Sequence, residues 1–493
     1  MNYLCTRDRK KKVSGMEAII QGISEDGGLY VPEYFPALPK LQSLMDLSYE
    51  ELALKILKLY FEEYTEEELK KAVSSAYGEK FHGKHPVEVV KKGEVHFLEL
   101  FHGPTLAFKD MALTLLPHLL KTALQKKGIQ EEVVILTATS GDTGKAALEG
   151  FRDVEGIQVV VFYPKTGVSD MQRLQMVTQE GRNTHVLALE GNFDDAQNGV
   201  KKIFGDEDFR KELKEKGYVL SSANSINIGR LIPQIVYYVY GYLRMVESGD
   251  LRMEEKMNIA VPTGNFGNIL AAFYAKNMGL PMEKLLCASN DNNILTEFFL
   301  HGTYDTRRNL FLTSSPSMDI LVSSNLERFL HEVSGKDEDL VKRHMDSLKA
   351  EGLFQWNGAL PGDFYAEYAD EKDVSQCIEK VYKEERYLMD PHTAVAYSVS
   401  EKYRKTTGDL KPLLLASTAS PFKFPHKVLT SLGAPVSEDL FENIEALAML
   451  LDGEVPTEIS DLKIKPILHK RVTSLDAMAE VLLDALSGGE MND

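Results

Sequence analysis

From about residue 95 the chain alternates short runs rich in β-branched and aromatic residues with longer runs in which apolar residues recur every three or four positions. In order these are "VHFLELF", "DMALTLLPHLLKTALQKKG", "EEVVILTAT", "GKAALEGF", "IQVVVFYP", "DMQRLQMVTQEG" and "THVLALEG". Strand and helix patterns in strict alternation predict βαβ units around a parallel sheet. In the second run Leu115, Leu116, Leu119, Leu120 and Leu124 form one apolar stripe, and Gly128 stands where a left-handed residue ends a helix. The alternation resumes with "YVLSSANSINIGRLIPQIVYYVYGYL", "MNIAVPTGNFGNILAAFYAKNMG" and "KLLCASN", which predicts a second α/β block.

The flanks are patterned differently. Residues 1–88 join a stretch rich in glycine, proline and aromatics, "EDGGLYVPEYFPALPKL", to a charged helical one, "TEEELKKAVSSAYGEKF", and read as a small N-terminal domain. Residues 89–440 then form the main domain, with a smaller subdomain at about 129–225 and a larger one from the remainder. Charged helices fill about 320–385, and 441–493 is expected to be a helical cap. No internal repeat or low-complexity segment interrupts this order.

At 493 residues and 43% hydrophobic the chain is too long for one core. Its 56 basic and 74 acidic residues give a net charge of −18 with no basic stripe, so nucleic acid is not an expected partner. Cys5, Cys287 and Cys377 are odd in number and far apart, which points away from disulfides and toward a reducing cytoplasm. The basic run "CTRDRKKKVSG" is followed by no apolar segment and no apolar run is long enough to span a bilayer, so a soluble intracellular protein is expected, with no membrane partner. His82 and His85 lie close together in "FHGKHP" but lack further ligands, so no metal is expected.

Chemistry enters with two glycine turns and a lysine. "VVILTATSGDTGKAALEG" and "MNIAVPTGNFGNILAAF" both run strand, glycine-rich turn, helix. Such a turn aims backbone N–H groups along the helix dipole and suits a phosphate or carboxylate, outside the carboxyl end of a parallel strand. The alternative is that Ser140, Asp142 and Thr143 only cap a helix while Gly141 and Gly144 close a tight turn. An ATP-loop reading of "SGDTGK" fails, because two residues rather than four separate the glycines and Ala146 follows the lysine. In "FHGPTLAFKD" a Gly-Pro turn delivers Lys109 behind Phe108. An anion cradle beside such a lysine is what pyridoxal phosphate requires, since that cofactor brings both an anion and an aldehyde. An exposed lysine is the alternative.

"FHGPTLAFKD", "TATSGDTGKAALEGF", "SSANSINIGRLIPQI", "PTGNFGNILAAF", "MDPHTAVAY" and "TASPFKFP" occur in this order, and together they resemble the threonine synthases of the longer type found in many bacteria and fungi. The resemblance runs from "TRDRKKKVSGMEAIIQGISEDGGLYVPEYFP" to about residue 430. It implies an α/β fold like the tryptophan synthase β subunit, fold type II of the pyridoxal 5′-phosphate enzymes, with two α/β subdomains, mostly parallel sheets and a small N-terminal domain. It implies that Lys109 is the Schiff-base lysine, that Gly264, Asn265, Phe266, Gly267 and Asn268 hold the cofactor phosphate, and that Thr418 faces the pyridine nitrogen. By the same resemblance Ser140, Gly141, Asp142 and Thr143 receive the substrate carboxylate or lie over the cofactor ring.

The implied reaction turns O-phospho-L-homoserine and water into L-threonine and phosphate, the last step of threonine biosynthesis. It is a cytoplasmic lyase activity of a monomer or homodimer. Lys109 then acts as acid and base, which requires a dry pocket, and Phe108 and Leu106 are placed to supply it. Asn224, Ser225, Asn227, Arg230 and Lys423 are the expected donors to the departing phosphate. "NSIN" as a simple turn into a helix, and Thr418 as a cap after a strand, remain the structural alternatives. Relatives in the fold often carry Asn where this chain has Asp142, so a carboxylate there calls for a shared proton or a compensating cation. The competing function within the fold is a threonine synthase-like phospholyase that releases a keto acid.

Overall fold

In the computed structural model, residues 1–83, 85–139, 141–166, 168–451 and 453–487 are described. The N-terminal strands β1 (Asn2–Cys5), β2 (Asp8–Ser14) and β3 (Tyr30–Pro32) form an antiparallel sheet in the order β2-β1-β3. There follow β4 (Glu88–Lys92), β5 (Val95–Glu99), β6 (Glu132–Ala138), β7 (Ile157–Pro164), β8 (Thr184–Leu189), β9 (Tyr218–Ser221), β10 (Met257–Pro262) and β11 (Met282–Ser289). The remaining strands are β12 (Thr303–Asp305), β13 (Leu353–Gln355), β14 (Phe364–Tyr368), β15 (Leu413–Ser417) and β16 (Val472–Thr473).

Two larger sheets carry the fold. One has the order β14-β11-β10-β15-β5-β4, parallel throughout except for β4, which pairs antiparallel with β5 at the edge. The other, β16-β8-β7-β6-β9, is wholly parallel. Every residue of β5, β10 and β15 is buried, as expected of strands covered by helices on both faces. The expected parallel α/β architecture is present, and Gly128 ends the helix Leu116–Lys127 in the left-handed conformation (φ 68°).

The helix Leu440–Leu450 packs Ile444 and Leu447 into the core that contains β5 and β15, whereas the helix Met478–Leu486 packs Met478 and Leu482 against β6–β8. The region expected as a helical cap therefore serves both sheets, and it adds β16, a two-residue strand too short to show a period. The three-stranded sheet is tied to the main body by side chains near the cleft. Arg328 Nε donates to Tyr30 O at 2.9 Å, and Arg7 pairs with Glu327 at 2.6 Å.

Candidate active site

The central strands β10, β15 and β5 are neighbours and point the same way, so the loops leaving their carboxyl ends lie side by side. The loop after β5 brings Lys109, the turn after β10 brings Gly264 to Asn268, and the segment after β15 brings Thr418. These line one cleft, of about 610 Å³ of empty space including its open mouth. It lies where parallel sheets characteristically bind ligands.

The Lys109 loop is fixed before the lysine is reached. Thr105 donates its backbone N–H and its hydroxyl to the Asp110 carboxylate at 2.8 and 2.6 Å, Phe108 N donates to Thr418 O at 2.8 Å, and Leu106 takes a left-handed φ of 57°. Leu106 is buried in that strained conformation, which the surrounding bonds must hold. Lys109 Nζ lies 3.1 Å from Ser317 Oγ, 3.4 Å from Asp142 Oδ2 and 5.3 Å from the Phe108 ring centre. Burial pushes the Lys109 amine below the usual lysine range, against the pull of Asp142, and the cations Lys423 and Arg230 push it further.

The turn after β10 is built for close approach. A Cβ on Gly264 would stand 2.7 Å from Ser317 O, so only glycine lets the two backbones meet. Phe266 caps the helix Gly267–Asn277 with a left-handed φ of 61°, its ring packed among Phe299, Phe329 and Phe364. The first-turn amides of that helix face the cleft with the positive end of the dipole behind them. Beside them Asn268 Oδ1 accepts from the hydroxyls of Tyr237, at 2.6 Å, and Tyr238, while its buried Nδ2 has no partner.

Arg230 completes the electropositive wall. It is 3% exposed, Nη1 donates to Ala223 O at 3.0 Å, and Nε has no partner. Among the described residues no carboxylate pairs with it, and burial pulls its guanidinium down to about 10. A buried guanidinium and a buried amide donor with unsatisfied N–H groups, at an open helix N-terminus, fit an anionic ligand. The nearby amine of lowered pKa fits a ligand that is also a carbonyl compound. The cleft therefore suits pyridoxal phosphate.

Of the sequence-predicted residues, Lys109, Thr143, Ser225, Arg230, Thr418 and the whole Gly264–Asn268 turn line the cleft. Ser140 lies outside the described residues. Gly141 and Asp142 sit just behind the wall: Gly141 N donates to Thr139 Oγ1 at 3.0 Å, and Asp142 begins the helix Asp142–Phe151. Asn224, Asn227 and Lys423 do not line the cleft, and the donors of the latter two are committed elsewhere. Asn224 Oδ1 accepts from Thr137 Oγ1 at 2.8 Å. Asn227 caps the helix Ile228–Leu231, and its Nδ2 donates to Ile19 O at 2.9 Å and to Ser222 O at 3.2 Å, which is the turn role left open as the alternative. Lys423, 2% exposed, is the compensating cation that Asp142 called for, at 2.8 Å from Oδ1. Burial alone would raise the Asp142 carboxyl, but Lys423 and Lys109 outweigh it and hold the group well below the usual carboxylate range.

The structure adds residues that the sequence reading passed over. Ser317 touches both Lys109 and Asp142, and its N–H donates to His392 Nε2 at 3.2 Å. His392 lines the cleft, and with Nε2 accepting, its Nδ1–H is left to donate to Asp390 Oδ1 at 2.7 Å. His392 stood in the quoted "MDPHTAVAY", where Asp390 and Pro391 also spell a helix start. Ser317 gave no such signal.

Comparison with known proteins agrees with this geometry. The family model described as threonine synthase N terminus matches residues 2–77, and the one described as pyridoxal-phosphate dependent enzyme matches residues 87–412. Threonine synthase from Pseudomonas aeruginosa is 38% identical over 91% of this chain and 96% of its own length. Human threonine synthase-like 1 is 41% identical over 87% of this chain, which spans 60% of the length of that protein. The crystal structure of PLP-bound threonine synthase from Brucella melitensis superposes with a TM-score of 0.86 at 34% identity, covering 98% of this chain and 99% of that one. The chain belongs to the threonine synthase family of pyridoxal-phosphate-dependent enzymes.

Proposed function

We propose that this protein converts O-phospho-L-homoserine and water into L-threonine and phosphate. The observation that carries the reading is the buried, carboxylate-free Arg230 lining the same cleft as Lys109 and the open turn after β10. That cleft combines an anion site with a reactive amine. Lys109 would hold pyridoxal phosphate through its aldehyde, the Gly264–Asn268 turn would take the cofactor phosphate, and Thr418 would face the ring nitrogen. When bound, the cofactor supplies an electron sink for negative charge developing on the substrate carbons.

The protein's own groups do the rest. Lys109, with its amine lowered by burial, takes and returns protons near neutral pH far more readily than a solvated lysine. Arg230 is already desolvated, so its charge acts at full strength on the departing phosphate without reorganisation of water. Thr143 and Ser225 line the cleft beside it and supply hydroxyls to the substrate. Phe108 and Met318 keep the wall beside Lys109 apolar and exclude water from the amine. On this reading the enzyme works in the cytoplasm, as a monomer or homodimer, and closes threonine biosynthesis.

A second reading, phosphate elimination with release of a keto acid, stays in view because the human relative is called threonine synthase-like 1. Purified protein loaded with cofactor and given O-phospho-L-homoserine separates the two. Equal yields of inorganic phosphate and L-threonine are expected, whereas phosphate accompanied by 2-oxobutanoate would replace this reading with the second.

A further inference from the structure

The Lys423 side chain is wholly enclosed, 0% exposed, and Lys423 is absent from the cleft wall. Its ammonium meets Asp142 Oδ1 at 2.8 Å and Thr105 O at 2.9 Å. The three partners come from three loops. Thr105 precedes Lys109 on the loop after β5, Asp142 follows β6 of the other sheet, and Lys423 ends the short turn Pro421–Lys423 after β15. The second oxygen of Asp142 faces Lys109 Nζ at 3.4 Å and Ser317 Oγ at 3.2 Å, and Gln172 Nε2 donates to Oδ1 at 3.1 Å. One carboxylate is thus shared by two lysines, one sealed behind the wall and one half-buried in the cleft.

We propose that Lys423 is a positioning residue for the reaction: by engaging one oxygen of Asp142 it staples the three loops together, fixes that carboxylate as an anion, and leaves Lys109 a half-neutralised partner from which its proton can depart. Facing Lys109 alone, a buried carboxylate at this distance would hold the lysine as an ammonium ion. With Lys423 on the other oxygen, the pull of Asp142 on Lys109 is opposed, and Arg230 adds positive potential of the same sign as Lys423. Two further groups lie nearby. Asp110, whose burial raises it to about 6, is bonded to Thr105, and His392 accepts from Ser317 N. Neither displaces the arrangement, because Asp110 has no hydrogen bond to Lys109 and His392 reaches it only through Ser317.

The inference rests on Lys109 being the reactive amine of the function proposed above, and its test uses no substrate. In the full-length protein freed of cofactor, the extent of Lys109 acetylation by acetic anhydride, followed by peptide mass mapping across a pH series, reads the titration of that amine. Lys423→Gln is expected to move the midpoint up by about one unit, Asp142→Asn to move it down, and the double variant to return it close to the native value. Should Lys423→Gln alone fail to fold, the double variant, in which neither Asp142 nor Lys423 is left as an unbalanced charge, must still titrate above Asp142→Asn. The ascending limb of the kcat pH profile of the loaded variants, which reads the amine once substrate has released it, should follow the same order. An unchanged or lowered midpoint on removing Lys423, in either background, would overturn the proposal. Failure to form threonine would instead sink the reaction and leave the Lys109 titration standing.

Discussion

The helices Gly267–Asn277 and Asp142–Phe151 start alike, at glycine turns on the carboxyl ends of β10 and β6, yet they end up with opposite electrostatics. The first presents its amides to an open cleft, beside the unsatisfied Nδ2 of Asn268 and with the unsatisfied Nε of Arg230 in the same wall. The second carries an acid as its own first residue. The Asp142 carboxylate is closed in by Lys423 and Gln172, while Thr139 Oγ1 accepts from Gly141 N and Gly144 N of the same turn. Space differs as well as charge, since a Cβ on Gly264 would strike the Ser317 carbonyl while the nearest atoms to one on Gly141 are the end of the Gln172 side chain. A glycine turn before a helix is therefore not by itself an anion site: the Gly264–Asn268 turn stands beside unsatisfied donors, whereas the Asp142 turn brings its own carboxylate and the cation that balances it.

The largest effect should come where the two units meet. Lys109 contacts Asp142 of one and, through Ser317, abuts the other, so Lys109→Ala is expected to lower phosphate release from the substrate by about a thousandfold or more, with the fold kept as judged by circular dichroism. Next comes the difference in space. Gly264→Ala should weaken cofactor retention, read by equilibrium dialysis, about 10–100-fold, because backbone must move. Gly141→Ala strains a φ of 151° and displaces Gln172, so it should lower stability by about 1–2 kcal/mol in denaturant titrations while the cofactor is retained. Equal losses of cofactor in both variants would break the comparison. Arg230→Gln sharpens it on the open side, with an expected fall in kcat/KM of about 10–100-fold and little change in cofactor absorbance.

The smallest effect lies in the scaffold. Burial depresses His185 on β8 to about 4, and His118 on the helix Leu116–Lys127 also to about 4, so both are neutral in the fold. The unfolded chain takes up these protons first, near pH 6.5, so stability falls as pH drops from there to about 4. Urea titrations should lose about 1–2 kcal/mol per histidine over that window, and His185→Gln should flatten part of the slope.

Lys109, the Gly264–Asn268 turn, Thr418 and Arg230 were found through the family motifs that contain them, and all line the cleft; Lys109 and the glycine turn also stand at a helix start, where local pattern and chemistry coincide. The parallel sheets were legible because β-rich runs such as those of β6 and β7 alternate with helical patterns along the chain. What the sequence hid depends on contacts between distant segments. Ser317 lies in a three-residue turn with no period, held by a mesh in which Asn290 Nδ2 donates to Ser315 Oγ at 2.9 Å and to Asp319 Oδ1 at 2.8 Å. Lys423 looked like a cation for the substrate because charge is visible in sequence and burial is not. Asn227 and Asn224 sat in the right loop but faced backbone and Thr137, and β16 and the antiparallel edge strand β4 offered too few patterned residues to announce a strand.

The amine at position 109 and what it binds decide the chemistry of this cleft. Reduction of the cofactor-loaded protein with borohydride, followed by proteolysis and mass mapping, should place a single phosphopyridoxyl group on the peptide containing Phe108, Lys109 and Asp110. A modified peptide elsewhere in the chain, or none at all in protein that retains the cofactor, would contradict it.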